Sequence, residues 1–475
     1  MTTRLLQVDD ALAALGQEPL IETLRKWDAS ARQRLSETLV RLDLDGIADA
    51  IRRVRHGGPA GPRATLDPGL VAPSPTPAAA REARERGREA IARGRVAAIV
   101  VAGGVGTRLG LSGPKGALPI GPVSGRSLFA HHAAQIRGAA RRDGGRIPWL
   151  VMTSHHTDTA TRALFERDDS FGLPPEDVFF LCQRDLPALD FEGNLMVSDS
   201  GGLVLGPDGH GGLLGALRES ALLPTLADRG VETLSYFQID NPLLPVLDAT
   251  AIGRHLAARA QWTAKVVAKQ APEEKLGAWV RRGETGARIV EYTELGPEER
   301  EARSADGSLR LGTGSIGAHL FDRAWLADTV AGRPELPIHL SPKQIPAVAA
   351  LPGTGFPLGP GAAPANAPNG FRLERFVFDA LPYAERAHAL GVDRADEYAP
   401  VKNATGSHTP DDARRALSDR NRRWLARAGV AVDPRGTVDI DPAHWPDVES
   451  LCAARGAAND GIAHQTILIA GGEEA

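Results

Sequence analysis

Cysteine is nearly absent. The 475 residues contain two, Cys182 and Cys452, which excludes a disulfide scaffold and any cysteine-rich zinc cluster. Lysine is scarce as well: seven of the 55 basic residues are lysine, at positions 26, 115, 265, 269, 275, 343 and 402. Each lysine is therefore worth inspecting, whereas the surplus of Arg, Ala, Gly and Pro reads as compositional drift. Neither sign of charge dominates, since 59 acidic residues leave a formal net charge of −4. There is no electrostatic case for a dedicated nucleic-acid binder. No apolar run reaches the roughly 18 residues of a membrane span. The opening MTTRLLQVDDALAALG carries acids where a secretory signal needs an apolar stretch and a cleavage site. The expectation is a cytoplasmic chain with no nucleic-acid and no membrane partner.

What is present is ordinary for a soluble globular chain, with 42% hydrophobic and 24% charged residues. At about 100–200 residues per domain, two to four domains or lobes are expected. Residues up to about 95 read as helical. Asp9 is placed to cap a short helix ending at Gly16, and helix-period apolar residues recur over 19–28, 30–42 and 46–54. A Gly/Pro-rich loop, GGPAGPRATLDPGLVAPSP, precedes Thr76-Pro77, which opens a charged helix because Pro suits the first helical position. The Arg-rich RERGRE within it reads as a solvated face.

The pattern changes at Val96. VAAIVVA is a short, continuous, β-branched run of the kind found in buried parallel strands. Strand-like runs recur at WLVMTS, VFFLCQ, LSYFQID and AKVVAK, with helical segments such as SLFAHHAAQIRGAARR between them. Alternating elements of this kind imply a doubly wound α/β sheet. AWVRRGETGARIVEY reads as an antiparallel hairpin, FRLERFVFDALPYAERAHAL as helix, and 351–370 as a Gly/Pro-rich surface loop. From about residue 435 a small β-rich lobe is expected. The expected division is a helical domain over 1–95, a catalytic domain over 96–405 and a C-terminal lobe over 406–475.

The central feature is the loop VAGGVGTRLGLSGPKGALP, Val101 to Pro119. It is neither of two familiar nucleotide loops. A dinucleotide fingerprint from Gly104 needs glycine at 109, which is Leu109. A Walker A loop needs Ser or Thr after Gly-Lys, whereas Lys115 stands between Pro114 and Gly116. The physics still points to phosphate. Gly103, Gly104 and Gly106 let backbone N–H groups approach an anion. Arg108 offers a bidentate fork and Lys115 a compact point charge. The loop follows the C-terminal end of a strand, which is the ligand-binding edge of an open α/β sheet.

GGVGTRLGLSGPKG resembles the signature of the UDP-sugar pyrophosphorylases, particularly the eukaryotic-type UDP-N-acetylglucosamine pyrophosphorylases. PWLVMTS, LPALDFEGNL, PDGHGGLLGAL, QIDNPLL, AKVVAK, VEYTEL, PNGFRLERFVFD and YAPVKNA follow in that family's order. The likeness covers roughly 15–430. It implies a Rossmann-like, doubly wound mixed sheet of the nucleotidyltransferase, GT-A-like kind, with a helical N-terminal domain and a small C-terminal lobe. It implies UTP and a sugar 1-phosphate as substrates and UDP-sugar and pyrophosphate as products. By the same resemblance Val101, Ala102, Gly103 and Gly104 hold the uridine and its phosphates, and Arg108, Lys115 and Lys402 contact the phosphates. Gln183 reads the uracil edge and Gly209 packs on the base. His210, Glu291, Ser315, Arg372, Phe376 and Phe378 lie on the sugar-phosphate side, and Asp240 binds Mg²⁺. Taken singly, each has a plainer reading: Asp240 before Asn-Pro is a turn former, Gln183 a strand-end polar residue, Glu291 a strand charge, Lys402 a surface lysine, His210 a turn residue, and Phe376 and Phe378 are core. His131-His132 and His155-His156 lack helical chelating spacing and receive no role.

The chain departs from the resemblance at four places. Ser315 stands where the N-acetylglucosamine-specific members have Asn. His210 replaces Asn of those members, as in the glucose-specific relatives, and Arg372 and Arg126 replace Lys. Uridylyl transfer is expected, with N-acetylglucosamine 1-phosphate favoured. Glucose 1-phosphate or broad sugar use is the same-class alternative. A non-catalytic nucleotide-sugar sensor is the alternative of a different class, and retention of Arg108, Lys115, Asp240 and Lys402 together argues against it. A scaffold built on the helical N-terminus would not need the loop at all. The oligomeric state stays open.

Overall fold

The computed structural model describes residues 2–25, 28–57, 66–197, 202–282, 285–345, 367–457 and 467–470. Most of the 351–370 loop read from the sequence lies outside these residues. The chain forms two compact units, each assembled from three stretches. One comprises Met1–Arg63, Gln183–Ala216 and Pro334–Asp379; the other comprises Ala64–Cys182, Leu217–Arg333 and Ala380–Ala475.

The larger unit is built on a ten-stranded mixed sheet. Its centre is Val96–Val101, whose first five residues are buried, as a strand covered on both faces requires. It pairs in parallel with Trp149–Ser154 on one side and Thr233–Gln238 on the other. The chain thus winds outward through Trp149–Ser154 to Val178–Gln183 and returns on the opposite flank of the central strand. The C-terminal end of Val96–Val101 is therefore a topological switch point, where open α/β sheets bind ligands. Beyond Thr233–Gln238 most pairings are antiparallel, although Ala387–Gly391 joins Trp262–Ala268 in parallel. Thr313–Asp322 pairs antiparallel with both Thr233–Gln238 and Trp262–Ala268, and Ala278–Arg282 forms the expected hairpin with Thr285–Val290.

Helix Pro77–Ala92 starts where Thr76 accepts a hydrogen bond from Ala79 N–H, with Pro at the first helical position. It packs on Ala249–Ala257 through small residues. A Cβ at Gly87 would stand 1.9 Å from the Ala249 carbonyl oxygen, and one at Gly253 would stand 1.7 Å from that of Ala83. Helix Leu128–Asp143 is capped by Ser127 and ended by Gly144 at φ +88, a left-handed position that favours glycine.

The smaller unit joins the N-terminal helices Thr2–Ala14, Glu18–Leu24, Ala29–Leu39 and Leu44–His56 to a four-stranded antiparallel sheet. Leu12, Leu24, Leu35 and Ile47 share one core with Leu189, Ile338 and Leu373. Buried Gln17 fastens the two layers, donating to the Gly193 carbonyl at 3.0 Å and accepting from Leu195 N–H at 2.8 Å.

Three local expectations are corrected. Asp9 lies within the helix Thr2–Ala14 and does not cap it; it faces Arg32 at 3.6 Å. The stretch beginning FRLER is not helical. It forms strand Gly370–Arg375, a 3-10 segment Val377–Tyr383 and strand Ala387–Gly391. Pairing with Ile338–Lys343 and Asp185–Leu189 overrides a pattern that reads as amphipathic helix, and Pro382 stops a longer helix. The C-terminal lobe is not β-rich among the described residues: one antiparallel strand pair, Thr437–Ile440 with Ile467–Ala470, packs with helices Pro410–Arg427 and Val448–Ala457 around Leu425, Val438 and Leu451. Among the described residues no helix is long and apolar enough to cross a membrane.

Candidate functional site

In the larger unit the Gly-rich loop leaves Val101 and folds back on itself. Lys115 N–H donates to the Gly104 carbonyl at 3.2 Å and Gly106 N–H to that of Gly113 at 3.1 Å. The Ser154 hydroxyl holds the Gly103 carbonyl at 2.8 Å. Gly103 is buried and Gly104 exposed, and a Cβ at Gly104 would meet nothing within 4 Å. The backbone there is open to a ligand. Exposed Arg108 sits in the 3-10 turn Thr107–Leu109 and has no ion pair among the described residues.

The return of the loop brings Lys115 against Asp240, with Nζ 3.3 Å from Oδ2. Lys115 Nζ also lies 3.4 Å from the Val401 carbonyl. Asp240 follows Thr233–Gln238, whose Gln238 is the parallel neighbour of Val101. Val401 N–H donates to the Asp240 carbonyl at 2.8 Å. The lysine of the loop, the carboxylate after one strand and the segment leading into Lys402 are thereby gathered at the switch point. Lys402 is half-buried, and its N–H donates to the carbonyl of His408, a residue at φ +59.

Glu291 and Ser315 both lie beside Gly277 on the antiparallel side of the same unit. Ser315 N–H donates to the Gly277 carbonyl at 2.9 Å, and a Cβ on Gly277 would stand 3.6 Å from Glu291 Oε2. Ser315 is buried and Glu291 half-buried. Lys269 went unassigned in the sequence. It is half-buried, and burial lowers its pKa against the pull of Glu274 and Glu291.

In the smaller unit Gly209 and His210 form the turn after strand Leu205–Pro207. Gly209 has φ +82, and a Cβ there would strike the Arg375 carbonyl oxygen at 2.6 Å, so this position needs glycine. Arg375 holds the turn. Its Nη1 donates to both Asp208 oxygens at 3.0 Å, its N–H to the Asp208 carbonyl at 2.7 Å, and its carbonyl accepts from Gly211 N–H at 2.8 Å. Its Nη2 donates to Asp43, which caps helix Leu44–His56. Burial pushes the Asp208 carboxyl up to about 7 against the Arg375 guanidinium. Sequence reading missed Arg375; its signal is a charged residue at the end of an alternating strand.

His210 stacks on Phe376 with centroids 5.2 Å apart and lies 5.4 Å from Phe378. Its Nδ1 accepts from Val377 N–H at 3.0 Å, so the ring proton is on Nε2. Burial and then nearby His339 lower its pKa to about 4. His210 is thus a neutral donor at physiological pH. Arg372 crosses Gly206, where a Cβ would stand 2.2 Å from its Nη1. Gln183 is buried, with Gly212 close against it: a Cβ there would meet Gln183 Oε1 at 3.0 Å.

The donor set around Asp240 suits a hard cation poorly as an all-protein cage. Among the described residues no group of three acidic, histidine or cysteine side chains converges. It suits Mg²⁺ that takes its remaining ligands from substrate phosphates and water, since one or two carboxylates then suffice.

A mixed sheet whose parallel centre carries a glycine-rich loop at its switch point, beside Lys115 and Asp240, is an α/β arrangement suited to nucleotide binding. Residues 78–408 match the family described as UTP–glucose-1-phosphate uridylyltransferase, and the chain belongs to that family of uridylyltransferases. The human UDP-N-acetylhexosamine pyrophosphorylase-like protein 1 is 34% identical over 93% of this chain and 88% of its own length. The Saccharomyces cerevisiae UDP-N-acetylglucosamine pyrophosphorylase is 34% identical over 74% of each chain. The crystal structure of the Trypanosoma brucei uridine diphosphate N-acetylglucosamine pyrophosphorylase, in complex with inhibitor, superposes with a TM-score of 0.74 at 26% identity, covering 90% of this chain and 87% of that one.

Proposed function

We propose that this uridylyltransferase joins UTP to N-acetylglucosamine 1-phosphate, giving UDP-N-acetylglucosamine and pyrophosphate. The observation that carries the reading is the Lys115–Asp240 contact at the end of the glycine-rich loop. It puts an ammonium and a carboxylate beside backbone open to a triphosphate. The human, Arabidopsis thaliana and Saccharomyces cerevisiae relatives, named for N-acetylhexosamine or N-acetylglucosamine, support the acetylated sugar.

A phosphate oxygen of the sugar 1-phosphate attacks the α-phosphorus of UTP. The bond from that phosphorus to the bridging oxygen breaks, and pyrophosphate leaves with the electron pair. The attacking oxygen is already largely ionised at pH 7, because the second pKa of a phosphate monoester is about 6, so no general base is needed. Two anions must instead be brought together. Arg108, Lys115 and Lys402 neutralise the triphosphate as charge moves toward the leaving group. Asp240 would hold Mg²⁺, which when bound would supply positive charge to the triphosphate. Glu291 and Ser315 contact sugar hydroxyl or acetamido groups.

The test is pyrophosphate release from UTP and Mg²⁺ with the 1-phosphates of N-acetylglucosamine, N-acetylgalactosamine, glucose and galactose. N-acetylglucosamine 1-phosphate is expected to give the highest kcat/KM. A glucose preference would overturn the sugar assignment. Silence with all four, from protein that binds UTP, would overturn turnover itself.

A further inference from the structure

Asn241 has no part in the chemistry proposed above, yet it is buried and both ends of its amide are used. Its Nδ2 donates to the Glu397 carbonyl at 2.7 Å, and its Oδ1 accepts from Ala399 N–H at 3.1 Å. One side chain thereby grips two backbone groups that lie 156 and 158 residues further along the chain.

The gripped backbone has no ladder of its own. Helix Arg394–Glu397 ends there, and residues 398–403 belong to no helix or strand. Backbone groups kept from water still need partners, and here the partners sit at the Asp240 corner and in the turn beyond it. Asn241 serves Glu397 and Ala399, and Pro400 has no N–H. The Asp240 carbonyl accepts from Val401 N–H at 2.8 Å, and Lys115 Nζ reaches the Val401 carbonyl at 3.4 Å. Lys402 N–H donates to the His408 carbonyl at 2.8 Å, which also accepts from Asn403 N–H at 3.2 Å. Lys402 is thus the first residue to leave a strap that Asp240, Asn241 and Lys115 hold.

Both supports of the grip are themselves fixed. Helix Leu128–Asp143 brackets the Asp240–Asn241 pair: His131 Nε2 lies 3.0 Å from the Pro242 carbonyl and His132 Nε2 lies 3.3 Å from that of Ile239. A ring nitrogen facing a carbonyl is the one that carries the proton. At the start of the strap, buried Lys265 donates at 2.7 Å both to Glu397 and to Asp248, the cap of helix Ala249–Ala257. The amide is the group that suits the gap. A carboxylate cannot donate to the Glu397 carbonyl, and serine is too short to span both backbone groups.

On the reading that Lys402 neutralises the triphosphate, we propose that Asn241 is a positioning residue for uridylyl transfer. It touches no substrate and acts through Lys402, by fixing the strap that delivers this lysine to the corner where Lys115 meets Asp240.

The test is a double-mutant cycle on kcat in the full chain, with UTP, saturating Mg²⁺ and the sugar 1-phosphate the parent uses best, read by pyrophosphate release. Lys402→Met is expected to lower kcat about 10²-fold or more. Asn241→Ala is expected to lower it at least about tenfold, because a displacement near 1 Å can cost about 10²-fold. The Mg²⁺ concentration for half-maximal rate should stay at the parental value, which separates an effect through Lys402 from one through Asp240. In the Lys402→Met background the same substitution should cost less than about twofold. Asn241→Ser keeps a hydroxyl for one of the two backbone groups, and it enters the same cycle if the melting temperature shows that the alanine variant does not fold. Parental kcat in Asn241→Ala, equal losses in both backgrounds, a raised Mg²⁺ requirement, or failure of both variants to fold would each overturn the positioning role and leave the transfer reaction intact. A parent chain silent with every sugar 1-phosphate, or full activity in Lys402→Met, would instead overturn the transfer or the part of Lys402 in it, and the positioning role with them.

Discussion

Lys115 Nζ stands 3.3 Å from Asp240 Oδ2, and the two residues follow neighbouring parallel strands at the switch point of the sheet. Their side chains are only 19% and 14% exposed, so the pair works in a less screened medium than bulk water. Its members have separable duties. Lys115→Met removes a cation from the developing charge and should lower kcat about 10²–10³-fold, while the Mg²⁺ concentration for half-maximal rate stays close to that of the parent. Asp240→Asn should instead raise that Mg²⁺ concentration at least about tenfold, since a metal-bound carboxylate is lost. Initial rates across a Mg²⁺ series check both. Equal Mg²⁺ responses in the two variants would remove the assignment of Asp240 to the metal.

His210, His132 and His255 are each held neutral by burial, with pKa values lowered to about 4, and His131 is lowered well below its ordinary value for the same reason. An unfolded histidine titrates near 6.5. Between about pH 6.5 and 4 these histidines make the unfolded chain bind more protons than the folded one and so make stability rise with pH, opposed in part by Asp208, whose folded carboxyl stays protonated up to about pH 7. Urea unfolding at intervals from pH 4.5 to 8 should show this slope. His132→Gln, if folded, should make it shallower. For activity, His210 is expected to contribute no ionisation to kcat/KM between about pH 6 and 8; a His210-dependent limb there would contradict its role as a neutral donor.

The doubly wound centre was legible because Val96–Val101 and its parallel neighbours are short apolar runs set between helices, a pattern with one economical reading. The loop was legible because glycine, arginine and lysine crowd into it. The antiparallel character of Gly370–Arg375 was not, because Phe371, Arg372, Leu373 and Glu374 mix aromatic and charged residues that satisfy either period, and the pairing partners lie far away in sequence. Arg375 was missed for a related reason. Its importance comes from Asp43 and Asp208, distant in the chain and brought together only by folding. The assembly of each unit from three separate stretches leaves no mark on local composition.

Ser315 bears on sugar choice. Its N–H holds the Gly277 carbonyl, and Glu291 Oε2 lies beside the same glycine. Ser315→Asn supplies a longer side chain with both a donor and an acceptor where a single hydroxyl now stands. The ratio of kcat/KM for N-acetylglucosamine 1-phosphate to that for glucose 1-phosphate should change about tenfold or more, the worth of one hydrogen bond in a buried site. Competition between the two sugars in one mixture measures the ratio directly. An unchanged ratio would place Ser315 outside the sugar contacts.

The last prediction concerns the helices behind the sheet. Pro77–Ala92 and Ala249–Ala257 meet backbone to backbone at Gly87 and Gly253, where added Cβ atoms would stand 1.9 Å and 1.7 Å from carbonyl oxygens of the opposing helix. Neither oxygen can swing aside as a side chain would, so an alanine at either position must push the helices apart. Overpacking of this kind costs about 1–3 kcal/mol, partly offset by the better helix propensity of alanine, worth up to about 1 kcal/mol. Gly253→Ala and Gly87→Ala should each lower the urea midpoint. One separation relieves both clashes, so the double variant should lose less than the two single losses combined, a coupling of at least about 0.5 kcal/mol. Simple additivity in that cycle would mean the two contacts yield independently, and the helix pair would then be softer than its geometry implies.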